Sequence, residues 1–131
     1  MQLNHLDLFV PDVGETRDFF QTHLGFHCEA TKGRESLAIL KGEGGFTLVI
    51  SRFREGSPTE YPTDFHIGFL LESERAVREL HERFTQAGVE IVYPLNARRG
   101  SLMFYCRAPG KVLIEISAPL DPSPGTAPAP A

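Results

Sequence analysis

The stretch "KVLIEIS", Lys111 to Ser117, places one carboxylate, Glu115, between Ile114 and Ile116 in an otherwise apolar run. A run of this length and β-branched content predicts a strand. Its period of two then sets Glu115 on the face opposite the two isoleucines. A second stretch, "GFTLVIS" from Gly45 to Ser51, has the same shape and the same ending, but Val49 stands where the other has Glu115. Two such strands in one chain raise the question of a repeat.

Working outward, each strand closes a similar series. The first series opens with "LNHLDLFV", where Leu6, Leu8 and Val10 alternate with His5, Asp7 and Phe9. "PDVGETRDFFQTHLG" follows, with Val13, Phe20 and Leu24 at helical spacing and Gly25 as the stop. "FHCEAT", "SLAIL" and "FTLVIS" are then separated by glycine-bearing turns. The second series opens with "DFHIGFLL", in which Phe65, Ile67, Phe69 and Leu71 form one face and His66 and Gly68 the other. Ser73 is a candidate N-cap for "ERAVRELHERFTQAG", whose apolar stripe is Val77, Leu80, Phe84 and Ala87. Gly88 ends that helix, and "VEIVY", "LMFYCR" and "VLIEIS" complete the series. His66 follows His5 by 61 residues and Glu115 follows Val49 by 66. An internal βαβββ duplication in an α+β domain is the reading that fits. Module 1 is expected over about 1–56 and module 2 over about 62–118, with 119–131 a flexible Pro/Ala-rich tail.

Composition sets bounds on function. A net charge of −4 with no Lys/Arg cluster offers no footprint for nucleic acid. Apolar runs are strand-sized, so no membrane residence is expected. No N-terminal signal pattern is visible, and Cys28 and Cys106 form no C-x-x-C. The expectation is a cytoplasmic protein with two buried thiols.

Each module has one helix to cover one sheet face. The apolar sets Leu6/Leu8/Val10, Phe46/Leu48/Ile50, Phe65/Ile67/Phe69 and Val112/Ile114/Ile116 should lie under the helices. The other face collects His5, Asp7, Phe9, Val49, Ser51, His66, Glu115 and Ser117, with Met103, Tyr105 and Arg107 from the neighbouring strand. His5, His66 and Glu115 are good metal ligands drawn from three strands. Taken singly, each histidine can be a satisfied core residue, and Glu115 can pair with Arg107 or Lys111. A carboxylate held away from water without a partner costs several kcal/mol, however, and a divalent cation shared with two imidazoles would compensate it.

"NHLDLFVPDVGETRDFFQTHLGF", "FHIGFLL" and "RAPGKVLIEIS" together resemble the vicinal oxygen chelate superfamily, which includes glyoxalase I, fosfomycin-resistance transferases, methylmalonyl-CoA epimerases, extradiol dioxygenases and bleomycin-binding proteins. The resemblance runs to Ala118. The final turn departs from it, with "APGK" where members commonly have Asp-Pro-x-Gly. The resemblance implies a cup-shaped glyoxalase-like fold and a divalent metal held by His5, His66 and Glu115, with open positions for adjacent oxygens of a small substrate. Two histidines and one carboxylate suit Fe(II) or Mn(II), with Zn(II) and Ni(II) as further options.

Departures narrow the implied chemistry. Glyoxalase I uses a ligand that also moves protons at the position of Val49, and valine does neither. Fosfomycin transferases have a threonine where Asp7 stands and a serine where Met103 stands, and a carboxylate there repels a phosphonate. Extradiol dioxygenases match in Tyr105, ten residues before Glu115. Their acid–base histidine would fall on the strand of Ser51, which has none, and His27 is a conceivable substitute. Asp7 can serve as a general base, or as a solvated charge that orients His5. Tyr105 has a catalytic reading and a reading as an aromatic wall. Phe9, Val49, Ser51, Met103 and Arg107 are the expected substrate-contacting residues, while Arg98 and Arg99 read as surface charge or as a greeting for an acidic group. Ring-cleaving, metal-dependent chemistry is preferred. The alternative is metal-free sequestration of a small molecule, as in bleomycin-binding proteins. The resemblance also implies a homodimer that pairs modules between chains.

Overall fold

The computed structural model describes residues 1–58 and 60–122. Two compact units are present: Met1–Phe65 with Ala108–Val112, and residues 66–107 with the chain from Leu113 on. In the first, β1 (His5–Val10), α1 (Val13–His23), β2 (His27–Lys32), β3 (Leu37–Lys41) and β4 (Thr47–Arg52) form a sheet of order β1-β4-β3-β2. In the second, β5 (His66–Leu70), α2 (Glu74–Gln86), β6 (Ile91–Arg98), β7 (Ser101–Ala108) and β8 (Val112–Pro119) repeat the pattern as β5-β8-β7-β6. The first and last strands of each series pair in parallel. These are the two βαβββ modules of the α+β fold that the sequence predicts.

The helices start and stop as their sequences dictate. Asp12 accepts a hydrogen bond from the Glu15 N–H at 3.0 Å, and Ser73 accepts one from the Ala76 N–H at 3.1 Å. Each cap satisfies an N–H that has no partner within its helix. Gly25 and Gly88 follow the two helices in left-handed backbone. Inside module 1, Leu8, Val10, Leu48 and Ile50 are buried together with Val13 and Phe20 of α1, and Phe26 meets Phe20 edge-on at 5.4 Å. Module 2 buries Val77, Leu80 and Phe84 of α2 with Phe104, Ile114 and Ile116, and Phe84 meets Phe104 edge-on at 5.9 Å. Along β7 burial alternates at every residue, leaving Ser101, Met103, Tyr105 and Arg107 half-buried on the face away from this core.

Several expectations need correction. β5 begins at His66, and Phe65 is 38% exposed; it stacks on Tyr61 at 4.7 Å and 14° and does not lie under a helix. Ala87 is exposed as the C-terminal cap of α2. Cys28, on the edge strand β2, is only half-buried, whereas Cys106 is buried; both are free thiols. β6 runs on past Tyr93 to Arg98 through two register irregularities. Of the expected tail, Leu120 N–H reaches the Gly100 carbonyl at 2.9 Å and Asp121 N–H reaches Glu74 at 2.8 Å. Residues 123–131 lie outside the described residues. Among the described residues no helix is long and apolar enough to cross a membrane.

Strand β1 is an edge of its sheet, so alternate backbone groups point away from β4. Tyr61 meets one such pair: its hydroxyl donates to the Phe9 carbonyl at 2.7 Å and accepts from the Phe9 N–H at 2.8 Å. Tyr61→Phe removes both bonds and keeps the ring stack on Phe65. The expected loss is about 1–3 kcal/mol in urea unfolding, the cost of stranding partly buried backbone groups. An unchanged midpoint would show that water replaces the hydroxyl there.

Candidate functional site

Each module is built from the same rungs. In module 1, Asp7 lies across the parallel ladder from Val49, and Phe9 lies across from Ser51. In module 2, Gly68 lies across from Glu115. Asp7 and Gly68 are 61 residues apart, the offset that also separates His5 from His66. Equivalent rungs therefore carry one carboxylate each, on opposite strands: Asp7 on the first strand of module 1, Glu115 on the last strand of module 2. Val49 is the vacated counterpart of Glu115, and Gly68 is the vacated counterpart of Asp7.

Gly68 matters through its missing side chain. A Cβ there would stand 3.2 Å from Oε2 of Glu115, so the glycine leaves room for the carboxylate to lie over β5. On the other side, the Tyr105 hydroxyl donates to Oε1 of Glu115 at 2.6 Å. This short bond to an ionised acceptor compensates the half-buried charge. The expected ion pairs with Glu115 are made elsewhere: Lys111 bonds Glu60 at 2.6 Å, and Arg107 faces Glu90 at 4.0 Å. The His66 ring meets Tyr105 edge-on at 5.6 Å, and Tyr93 does the same at 5.3 Å. His66, Tyr105 and Glu115 thus converge within module 2.

The bond to Glu115 is the chief reason that the Tyr105 hydroxyl is pushed up to about 12. Burial and the Glu115 charge add to the effect, while Arg98 and Arg99 act against it. Burial alone pushes the Cys106 thiol up to about 12, which keeps it protonated and chemically quiet.

In module 1 the Ser51 hydroxyl donates to Oδ1 of Asp7 at 2.7 Å, so an exposed carboxylate is held by a buried serine. His5 is paired through Nδ1 to the Asn4 side-chain oxygen at 2.8 Å. Phe9 is half-buried and meets Phe53 at 6.3 Å, within the aromatic group that contains Tyr61. Val49 is half-buried opposite Ile39 and offers no donor atom. His27 shares its rung with Lys41, Thr47 and His5, but three strand spacings separate it from β1. That is roughly 14 Å of sheet, too far for it to serve as a proton carrier beside His5.

Among the described residues, no group of three His, Cys, Asp or Glu side chains is close enough to hold one ion. The donor types do fit a divalent metal. His66 and Glu115 share a face of adjacent strands, and the His5 ring is held through Nδ1 by the Asn4 side chain.

Sequence reasoning missed several participants. Gly68 was legible in principle, since a glycine inside a strand signals a close approach. Asn4 and Tyr61 carried no such signal. Tyr93 and Asn96 join Met103 and Tyr105 in lining a cavity of about 390 Å³, along the stretch of β6 where the register shifts.

A family model, Glyoxalase/Bleomycin resistance protein/Dioxygenase superfamily, matches residues 2–116. The chain belongs to this superfamily. Members of the glyoxalase/bleomycin resistance protein/dioxygenase superfamily generally bind divalent metals and small molecules. A solved structure described as a possible glyoxalase from Bacillus cereus is 33% identical, covering 88% of this chain and 97% of its own, with a TM-score of 0.76. A virulence protein from Salmonella typhimurium is 25% identical over 90% of this chain and 96% of its own, with a TM-score of 0.69. A lactoylglutathione lyase from Agrobacterium tumefaciens is 18% identical over 89% and 92%, with a TM-score of 0.73, and shares the fold. No curated protein matches.

The Tyr105–Glu115 bond is testable without any metal. In a spectrophotometric titration of metal-free protein, one tyrosine should ionise only near pH 12. That titration should vanish in Tyr105→Phe and move down in Glu115→Gln. The raised pKa also fixes the sign of the stability change. Below about pH 10 the folded and unfolded hydroxyls are both protonated and its contribution is complete. Between there and about 12 only the folded state keeps the proton, so stability falls as pH rises. Tyr105→Phe should flatten that fall, and an equal slope in both proteins would contradict the assignment.

Proposed function

We propose that the protein is a metal-dependent enzyme acting on a small substrate with two adjacent oxygens, with ring-cleaving chemistry of the extradiol type as the preferred reaction. His66 and Glu115 supply two ligands from module 2, and His5 supplies the third through Nε2. Modules pair between two protomers, so each site takes His5 from one protomer and His66 with Glu115 from its partner. Fe(II) or Mn(II) best suits this donor set. When bound, the metal polarises the adjacent substrate oxygens and lowers the cost of deprotonating them.

The observation that carries this reading is the Tyr105 hydroxyl on Glu115 at 2.6 Å, ten residues apart on neighbouring strands. It gives a ligand carboxylate a fixed direction and places a protonated hydroxyl beside it. With its pKa near 12, Tyr105 keeps its proton at neutral pH, and that single O–H holds the Glu115 carboxylate in position. Asp7, held by Ser51, is the candidate base: its rung is the equivalent of the Glu115 rung, and its carboxylate faces the same side of β1 as His5. Phe9, Val49 and Met103 give the substrate ring apolar contact, and Arg107 lies on the Tyr105 face of β7.

Purified protein supplied with Fe(II), Mn(II), Zn(II) or Ni(II) should hold about one metal per chain by elemental analysis. His5→Ala, His66→Ala and Glu115→Gln should each lower that strongly. Dissociation of the dimer should release the metal. Less than about 0.1 metal per chain in the wild type would favour metal-free sequestration instead. A fully metallated monomer would exclude sharing between protomers. Asp7→Asn should retain metal yet lose about 10²–10⁴-fold in turnover, the usual worth of a general base.

A further inference from the structure

We propose that the hairpin end of β6 forms a carboxylate subsite, in which Arg98 reads an acidic group carried by the substrate at a distance from its adjacent oxygens. Three features of module 2 carry the inference. The first is the cavity of about 390 Å³ lined by Tyr93, Leu95, Asn96, Arg98, Met103 and Tyr105. It is amphipathic: Tyr93, Leu95 and Met103 contribute apolar surface, Asn96 lies on the Met103 rung, and Arg98 lies nearer the hairpin turn. The second is its place beside Glu115, because Tyr105 lines the cavity with its ring and bonds the carboxylate with its hydroxyl. Tyr105 therefore borders both the cavity and Glu115, and Arg98 lines the cavity nearer the hairpin.

The third feature is the turn. Arg98 pairs with Ser101, and the two residues between them, Arg99 and Gly100, have φ of 51° and 76°. A two-residue turn with both angles positive favours Asn-Gly or Gly-Gly, and arginine brings a Cβ that the turn does not want. Nothing in hairpin geometry calls for a second cation at this point. No carboxylate among the described residues is within ion-pair distance of either guanidinium, and their field reaches the Tyr105 hydroxyl.

Carboxylate is the favoured anion. A guanidinium fork matches two carboxylate oxygens in one plane, and the neighbouring Glu115 charge penalises a dianion more than a monoanion. Combined with the proposed function, on which the vicinal oxygens but not the Arg98 contact depend, the substrate class is an aryl carboxylate bearing two adjacent ring hydroxyls.

The test compares protocatechuate, catechol and phenyl phosphate by calorimetry, on metal-free and metal-loaded protein, in the wild type, Arg98→Gln and Arg98→Lys. Protocatechuate should bind about ten-fold tighter than catechol. The preference should disappear in Arg98→Gln, survive in part in Arg98→Lys, and weaken with added salt. It should be present without metal as well. Equal binding of protocatechuate and catechol by the wild type, or a preference that survives Arg98→Gln, overturns the subsite. Tighter binding of phenyl phosphate than of protocatechuate also overturns it. If metal adds nothing to catechol binding while the Arg98-dependent preference remains, the chelation reading fails and the carboxylate subsite stands.

Discussion

Each module has a two-faced sheet and only one helix, and this shortage of cover shapes the rest of the structure. One face is closed by α1 or α2 and filled with leucine, isoleucine, valine and phenylalanine; burial there is complete for Leu8, Ile50, Phe104 and Ile114. The opposite face must be partly wet or partly polar, and every residue type on it has a separate reason to be there. Glu115 is tolerable next to Ile114 and Ile116 because the pleat sends it to the uncovered side, where Tyr105 donates to it. Ser51 is buried on that side only because its hydroxyl has Asp7 to bond. In each module, polar chemistry is confined to a surface that the fold leaves available.

The repeat gives this arrangement a further constraint. Parallel pairing of first and last strands sets His5 and Asp7 beside β4, and His66 and Gly68 beside β8. A carboxylate needs space across its rung, and each module provides it differently. Glu115 faces a glycine, whose absent Cβ lets the carboxylate lean over the neighbouring strand. Asp7 is shorter and faces Val49, so it turns to the hydroxyl of Ser51 two residues further along the same face of β4. The repeat thus holds its two carboxylates in different settings. One is clamped by a phenol with a pKa near 12, and the other is exposed and bonded to an aliphatic hydroxyl. Like groups in such different settings differ in what they can do chemically.

The parts of the fold and site that depend on periodicity were legible in the sequence. Strand β8 has no bulge across its β5 pairing, so the side of Glu115 follows from counting by two, and β7 alternates without interruption, so Tyr105 and Arg107 follow as well. The helix cap at Ser73 was legible for a similarly local reason. Features set by irregular backbone were hidden. The shifts of register around Pro94 redirect Tyr93 and Asn96, and no alternation rule anticipates them. Phe65 shows a different failure. It continues the alternation of Ile67 and Phe69, but the chain is still turning there, and the flat face of Tyr61 wins it. Tyr61 itself looks like any loop tyrosine until the edge of β1 presents it with a backbone pair to satisfy.

Irregular backbone and the cavity coincide at β6. An unbroken β6 opposite β7 would present alternate residues flush with the sheet, and no hollow would form beside Tyr105. Two shifts of register within six residues, one of them spanning a proline that cannot donate to the ladder, open that space. The hairpin then returns through Arg99 and Gly100 in left-handed backbone and sets a guanidinium at the far end of the hollow. Regular strands fix the direction of Glu115, and with it the 2.6 Å bond from Tyr105. The shape of what lies next to it is left to a segment whose length and turn can change without disturbing the ladder between β7 and β8. On this division of labour, relatives that share the regular strands can keep the same ligand geometry and differ in the β6 hairpin, and substrate choice in a duplicated βαβββ scaffold would then be written where the period-two pattern fails.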